Sequence, residues 1–429
     1  MFCTDAGNLC LDYRTALFFF LFNSSTKMPL MFLFFLCMTF LNGFSTQDFC
    51  TVKDNTNCRK DSEKPQILRD TSKMYKEYWK AIEYAESTYN ECVSKNCSCF
   101  AEGIKRDLLP FKEKGIDEDL IESSMSRATI YQIIGKQLYR NRECMFPSRC
   151  AGVEHFLFKI ISNLTDTEFI VNTRDYPQSN KHFGTAMPIF SFSKTSDYYD
   201  IMYPAWSFWD GGPAISLYPR GLGRWDQHRS SLNKSSVKIP WDQKENKAFF
   251  RGSRTSPERD SLVLLGRAQP ELVDAQYTKN QAWKSNEDTL YKPPAPEIPL
   301  EDHCKYKYLF NYRGVAASFR HKHLFLCNSL VFHVGAEWLE FYYDTMKPWI
   351  HYIPVPKEAS QADLKRLIMF ARENDDMARK IAQRGRDFIW NKLRMSDIVC
   401  YWKRILQEYS KLLTYKPKLR NDLININKK

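Results

Sequence analysis

The sequence has little of several things. After an apolar N-terminal region, no stretch approaches the roughly 20 unbroken apolar residues needed to cross a bilayer, so no later span is expected. It has no run of consecutive lysines and arginines and no RNA-binding motif, so a net charge of +12 points to phosphorylated or acidic partners more than to nucleic acid. Internal repeats and long low-complexity linkers are missing too, which excludes solenoids and propellers. The cysteines at 92, 97 and 99 are not followed by a second pair at finger-like spacing, which argues against a zinc site there. The glycine-bearing turn at Arg313-Gly314, though suited to phosphate, is far short of a full dinucleotide fingerprint.

What the chain does contain is a folded composition: 43% hydrophobic and 15% aromatic residues over 429 positions, enough for two cores of ordinary size. Residues 1–45 read as a secretory signal with a possible upstream extension, in which Met28 could be the true start, and 46–70 as a polar lead-in. Of 13 cysteines, Cys3, Cys10 and Cys37 precede the expected cleavage near Ser45, which leaves an even number and argues for disulfides. Sequons at Asn96, Asn163 and Asn233 agree with that route as glycosylation sites.

Helical periodicity is expected over 72–93, a helical pair over 111–140, and an amphipathic helix over 154–164. Within the second of these, Asp117-Glu118-Asp119 reads as a helix cap rather than a metal site. Residues 168–172 read as a buried strand, and Asp175 follows in a turn bounded by Pro177, where α/β proteins place catalytic carboxylates. Residues 188–192 are a further strand. The aromatic run at 203–209, flanked by Gly211-Gly212-Pro213, reads as a loop presenting its rings to a ligand.

Two basic turns mark the second half. Arg251, Arg254 and Arg259 follow a strand ending at Phe250, with Gly252 and Ser253 among them, an expected anion cradle. Residues 305–312 and 329–334 read as strands joined through Gly314 and a short helix, a βαβ unit whose helix N-terminus would attract phosphate. Three helices close the chain, the first capped by Ser360 with Asp363 and the last beginning at Ser396. The organisation expected is one α/β domain over 71–212, a second over 213–358, C-terminal helices over 359–415 and a polar tail over 416–429.

Residues 171–178 (VNTRDYPQ), 190–196 (FSFSKTS), 203–213 (YPAWSFWDGGP), 250–260 (FRGSRTSPERD) and 308–325 (YLFNYRGVAASFRHKHLF) closely resemble the Rumi-type protein O-glucosyltransferases. The resemblance implies an α/β GT-B fold, two Rossmann-like domains facing a cleft, with C-terminal helices packed back on the first. It implies an inverting transfer of glucose from UDP-glucose to serine in the Cys-x-Ser-x-(Pro/Ala)-Cys sequence of folded epidermal-growth-factor-like repeats, as in Notch. No metal or cofactor is implied, and the location would be the endoplasmic reticulum lumen. By the same likeness Asp175 is the base. Tyr218, Ser253, Arg259, Val315, Ala316, Ala317, Ser318, Phe319 and Arg320 hold the UDP-sugar, and Ala214, Ile215, Ser216, Leu217, Tyr218 and Pro219 meet the acceptor. It also implies disulfides Cys92 to Cys99, Cys97 to Cys400, Cys144 to Cys150 and Cys304 to Cys327, leaving Cys50 and Cys58 to pair. The chain departs from the family pattern at Ser216, where a larger aromatic is expected, and in ending without a KDEL-like tetrapeptide. A xylosyltransferase on the same serine and a repeat-binding chaperone without chemistry are the alternatives.

Overall fold

Two β-sheets with helices packed around them form the protein. The computed structural model describes residues 74–94, 96–212, 216–219, 221–279 and 283–426. The expected signal and lead-in, Cys50 and Cys58, and Ala214 and Ile215 of the acceptor loop lie outside the described residues.

The first sheet contains β1 (Thr129–Ile134), β2 (Gln137–Asn141), β3 (Thr167–Val171), β4 (Ile189–Ser191), β5 (Ile201–Met202) and β11 (Leu423–Ile426). Its order is β11-β2-β1-β3-β4-β5. Here the helical pair expected over 111–140 is corrected: only Glu118–Ser124 is an α-helix, and an antiparallel hairpin follows. The run Thr-Ile-Tyr-Gln-Ile-Ile is β-branched and aromatic, and Gly135 and Lys136 both take positive φ (57° and 65°) to turn it in two residues. The acids before that helix do cap it: the Asp117 carboxylate accepts from the Leu120 N–H at 2.8 Å. From β3 onward the sheet turns parallel, through β4 to β5.

The second sheet is wholly parallel: β6 (Glu245–Gly252), β7 (Val273–Tyr277), β8 (Tyr306–Asn311), β9 (Leu330–Val334) and β10 (Ile353–Val355), in the order β10-β9-β8-β6-β7. The chain leaves β6 toward one side of the sheet to make β7, then returns on the other side as β8. That reversal is a topological switch point, and a crevice opens at the carboxyl ends of the two strands. This two-sheet α/β architecture is the GT-B arrangement expected of the chain.

The C-terminal helices divide between the sheets. Residues Gln361–Glu373 and Asp375–Lys392 cover the second sheet, burying Leu367, Ile368, Ile381 and Ala382 in its core, and only Met395–Ser410 packs on the first. The expectation that all three return to the first half is corrected accordingly. The N-terminal helix Lys76–Thr88 likewise packs on the second half, through Tyr75, Tyr78 and Ile82 against Phe370. The tail is structured as well. Its β11 extends the first sheet beside β2, and Arg420 pairs with the buried Glu168 at 2.6 Å.

All four disulfides implied by the resemblance are present, and Cys97 to Cys400 fastens the last helix to the first half. Among the described residues, no helix is long and apolar enough to cross a membrane.

Candidate active site

A cleft of about 770 Å³ opens at the switch point, and both sheets contribute to its walls. From the first come Arg149, Asp175 and Phe192; from the second, Arg251–Ser253, Thr255, Arg259, His303 and Gly314–Arg320, with Ser216, Tyr218 and Glu297 on the rim. Thus Asp175, Ser216, Tyr218, Ser253, Arg259 and Val315 through Arg320 share one cavity. Leu217 and Pro219 lie outside its lining, and Leu217 is exposed.

The Asp175 turn is built by two buried polar side chains that sequence reading missed. Asn172, at the end of β3, donates to the Tyr176 carbonyl at 2.7 Å and to the Ser191 hydroxyl at 2.9 Å, and accepts from the Arg174 N–H at 2.9 Å. Asp200 receives the N–H groups of Gln178 and Ser179, at 2.8 and 2.7 Å, and the Ser191 hydroxyl at 2.6 Å. With these contacts the loop has little freedom, so the carboxylate between them is fixed in place. Arg149 was also missed. It reaches from the first turn of helix Pro147–Ile160, donates to the Thr173 carbonyl at 2.7 Å and sits 3.1 Å from Asp175 Oδ1. Oδ1 is thereby the oxygen of that carboxylate that faces Arg149.

The aromatic run at 203–209 is corrected. Tyr203, Trp206 and Phe208 are wholly buried and form the core behind this wall. Trp206 packs edge-on to Phe192, and Phe192 stacks on Phe319 at 4.9 Å, so the rings support the cleft rather than line a docking face. Gly and Pro around such a run allow tight packing as readily as exposure: a Cβ on Gly152 would lie 2.6 Å from the Trp206 carbonyl.

On the opposite wall, the three-arginine cradle is corrected to a narrower one. Arg251 pairs with Asp274 at 2.8 Å and Arg254 grips Asp260 through two bonds of 2.8 and 2.7 Å. Arg313 is likewise taken by Glu258 at 2.8 Å. Among the described residues, neither Arg259 nor Arg320 forms an ion pair with a carboxylate. Their guanidinium groups bond only to backbone carbonyls, Arg259 to Ser253 and Arg313, Arg320 to Arg251. They flank Gly252 so closely that a Cβ there would come within 3.0 Å of Arg320 Nη2 and 3.5 Å of Arg259 Nη1. Burial and the neighbouring Arg320 push Arg259 down to about 9, and burial pushes Arg320 down to about 10. Two buried cations thus meet at one wall of the cleft.

The helix expected after Gly314 begins only at His321 and has five residues, so no helix N-terminus points at the cleft from residues 315–320. Within the turn, the Ala317 N–H donates to the Ser193 hydroxyl at 3.4 Å, tying it to the first half. A Cβ on Gly314 would meet no protein atom nearer than 3.9 Å, since the space beyond it is open cleft. Arg320 is also no surface helix cation: it lies against the Phe250 ring, at 5.4 Å. His303 completes this wall as a neutral ring. Burial and Arg320 push it down to about 3, and its Nδ1 lies 3.1 Å from the Pro299 carbonyl, which requires the hydrogen there. The Tyr218 hydroxyl accepts the Leu300 N–H at 3.1 Å, tying the rim loop to the same segment.

The sequons fall differently. Asn96 and Asn163 are exposed, whereas Asn233 lies within helix Trp225–Lys238 with its side-chain oxygen bonded to Arg386 at 2.9 Å.

Asp175 from the first half and the Arg259 and Arg320 guanidinium groups from the second thus line one cleft between two α/β sheets. The chain belongs to glycosyl transferase family 90, whose model matches residues 92–429. It is 54% identical over 383 residues to an O-glucosyltransferase rumi homolog of Anopheles gambiae, covering 89% of this chain and 95% of that protein. It is 55% identical over 350 residues to Protein O-glucosyltransferase 1 of Homo sapiens, covering 81% and 88%. It is therefore a glycosyltransferase homologous to the Rumi-type enzymes.

Proposed function

We propose that the protein moves glucose from UDP-glucose to a serine hydroxyl of folded, disulfide-bonded epidermal-growth-factor-like repeats, the clients expected of a Rumi-type enzyme. The observation that carries this reading is the meeting of Asp175 with Arg259 and Arg320 in one cleft. A serine hydroxyl is a poor nucleophile, so as its oxygen bonds to the anomeric carbon its proton passes to Asp175. The bond from that carbon to the diphosphate oxygen breaks, and the electron pair leaves with UDP. Attack and departure on opposite faces invert the centre. Negative charge grows on the diphosphate, where two preorganised guanidinium groups and the 315–320 backbone stabilise it in place of a metal. Four disulfides support an oxidising compartment such as the endoplasmic reticulum lumen.

Incubating the protein with a folded repeat and either UDP-glucose or UDP-xylose, with and without EDTA, tests the reading by the mass added. One hexose from UDP-glucose, undiminished by EDTA, is the expected result; a pentose would make it a xylosyltransferase, and no transfer would favour a binding role. Asp175→Asn is expected to bind UDP normally and to lose about 10²–10⁴-fold in turnover. Near-normal turnover would remove Asp175 from the mechanism. Reduced and alkylated repeat is expected to be a poor substrate, and equal rates on both forms would refute the requirement for a folded acceptor.

A further inference from the structure

Before helix Leu300–His303 the chain passes through Pro293, Pro294, Pro296 and Pro299. Proline fixes φ, so this segment is extended and has little conformational freedom to lose when a ligand binds. It is pinned to the second sheet at Ala295, whose N–H donates to the Tyr277 carbonyl at 2.8 Å. Glu297 is thus carried on a rigid rail to the cleft wall. One carboxylate oxygen, Oε2, accepts from the Ser216 N–H at 3.0 Å and from the Ser216 hydroxyl. The other, Oε1, makes no hydrogen bond among the described residues.

A carboxylate is a poor neighbour for a diphosphate, whose place is at Arg259 and Arg320. It suits the part of a nucleotide sugar that carries no charge and offers only hydroxyl donors. The geometry points to Glu297 as a sugar-reading residue, accepting a hydrogen bond at Oε1 from a hydroxyl of the transferred hexose. This deepens the nucleotide-sugar reading of the cleft and rests on it. Bonds from neutral hydroxyls to a carboxylate are stronger than those between neutral groups, and the rail supplies the acceptor already in position.

Calorimetry with UDP and with UDP-glucose, without acceptor protein, on the wild type and Glu297→Gln separates the possibilities. Glutamine keeps the size and can still accept from Ser216 through its carbonyl oxygen, but turns an amide donor toward the sugar. The variant is expected to bind UDP within about twofold of wild type and UDP-glucose about tenfold more weakly, the size of one lost charge-assisted bond. The KM for UDP-glucose should rise in parallel, and Glu297→Asp should recover part of the loss. Unchanged UDP-glucose affinity overturns the inference, and so does an equal loss for UDP or a rise confined to the KM of the acceptor. Wild-type protein that fails to bind UDP at all would instead overturn the reading of the cleft itself.

Discussion

At the scale of single residues, Arg259 and Arg320 show what a site prepared for an anion costs. Their acidity is raised because burial disfavours the charge and the two cations repel. Below about pH 9 Arg259 is charged in both the folded and unfolded chain, so the full penalty is present at neutral pH. It is shed only as the folded state releases its proton above that value. A bound diphosphate would remove the penalty by neutralising the pair, so UDP should raise the melting temperature. Its affinity should fall as pH climbs past about 9, because the free protein then loses the cation that UDP needs. Arg320→Ala should weaken UDP by one to two powers of ten, from the loss of a charge-assisted bond of about 1.5–3 kcal/mol. The unliganded stability should stay near wild type, since the desolvation penalty leaves with the charge. Calorimetry across pH 7 to 10 checks both, and UDP affinity unchanged in Arg320→Ala would exclude that residue. Asp175, Arg259 and Arg320 could be singled out in the chain because each lies in the segment that follows an apolar strand. Arg149, Asn172, Asp200 and Glu297 could not, because their partners are close only once distant segments have packed.

At the scale of elements, alternation and capping were read well and two-sided burial was read poorly. The strands at 306–311 and 330–334 and the capping box at Ser360 are where the residues placed them. The hairpin of β1 and β2 was mistaken for helix because β1 is buried on both faces and loses the period of two. The tail looked polar because its key residue is polar, yet Arg420 is what anchors it. Arg420 bonds Glu168 Oε1 through Nε and Nη2, at 2.9 and 2.6 Å, and reaches Glu122 as well, while Glu168 is only 1% exposed. Removing the arginine leaves a buried carboxylate without its cation, which typically costs about 3–5 kcal/mol. Arg420→Ala should therefore unfold at clearly lower denaturant than wild type, and more so than Arg420→Lys, which keeps the charge. A shift of less than about 1 kcal/mol would mean that water replaces the pair and that β11 is dispensable.

At the scale of the whole molecule, residues from Cys97 onward and the C-terminal helix and strand must come together to complete the first half. The last helix, Met395–Ser410, buries Tyr401, Trp402, Ile405 and Tyr409 against the first half, and β11 finishes the sheet beyond it. Everything between, including the entire donor sheet, is an excursion within that closure. Cys97 and Cys400 hold it shut across a sequence separation of 303 residues, whereas Cys92 and Cys99 are separated by only 7. If a cross-link acts by restricting the unfolded chain, its effect grows with the logarithm of the loop it closes. The long bridge should then contribute about 6 kcal/mol and the short one about 2 kcal/mol. Replacing Cys97 and Cys400 by serine should lower stability by more than replacing Cys92 and Cys99. It should also weaken transfer to the acceptor protein more than binding of UDP, because this closure lies on the Asp175 side and the arginines belong to the other sheet. Chemical denaturation and UDP titration of the two paired variants measure both effects. Equal destabilisation would show that native packing, and not chain entropy, sets the value of these bridges.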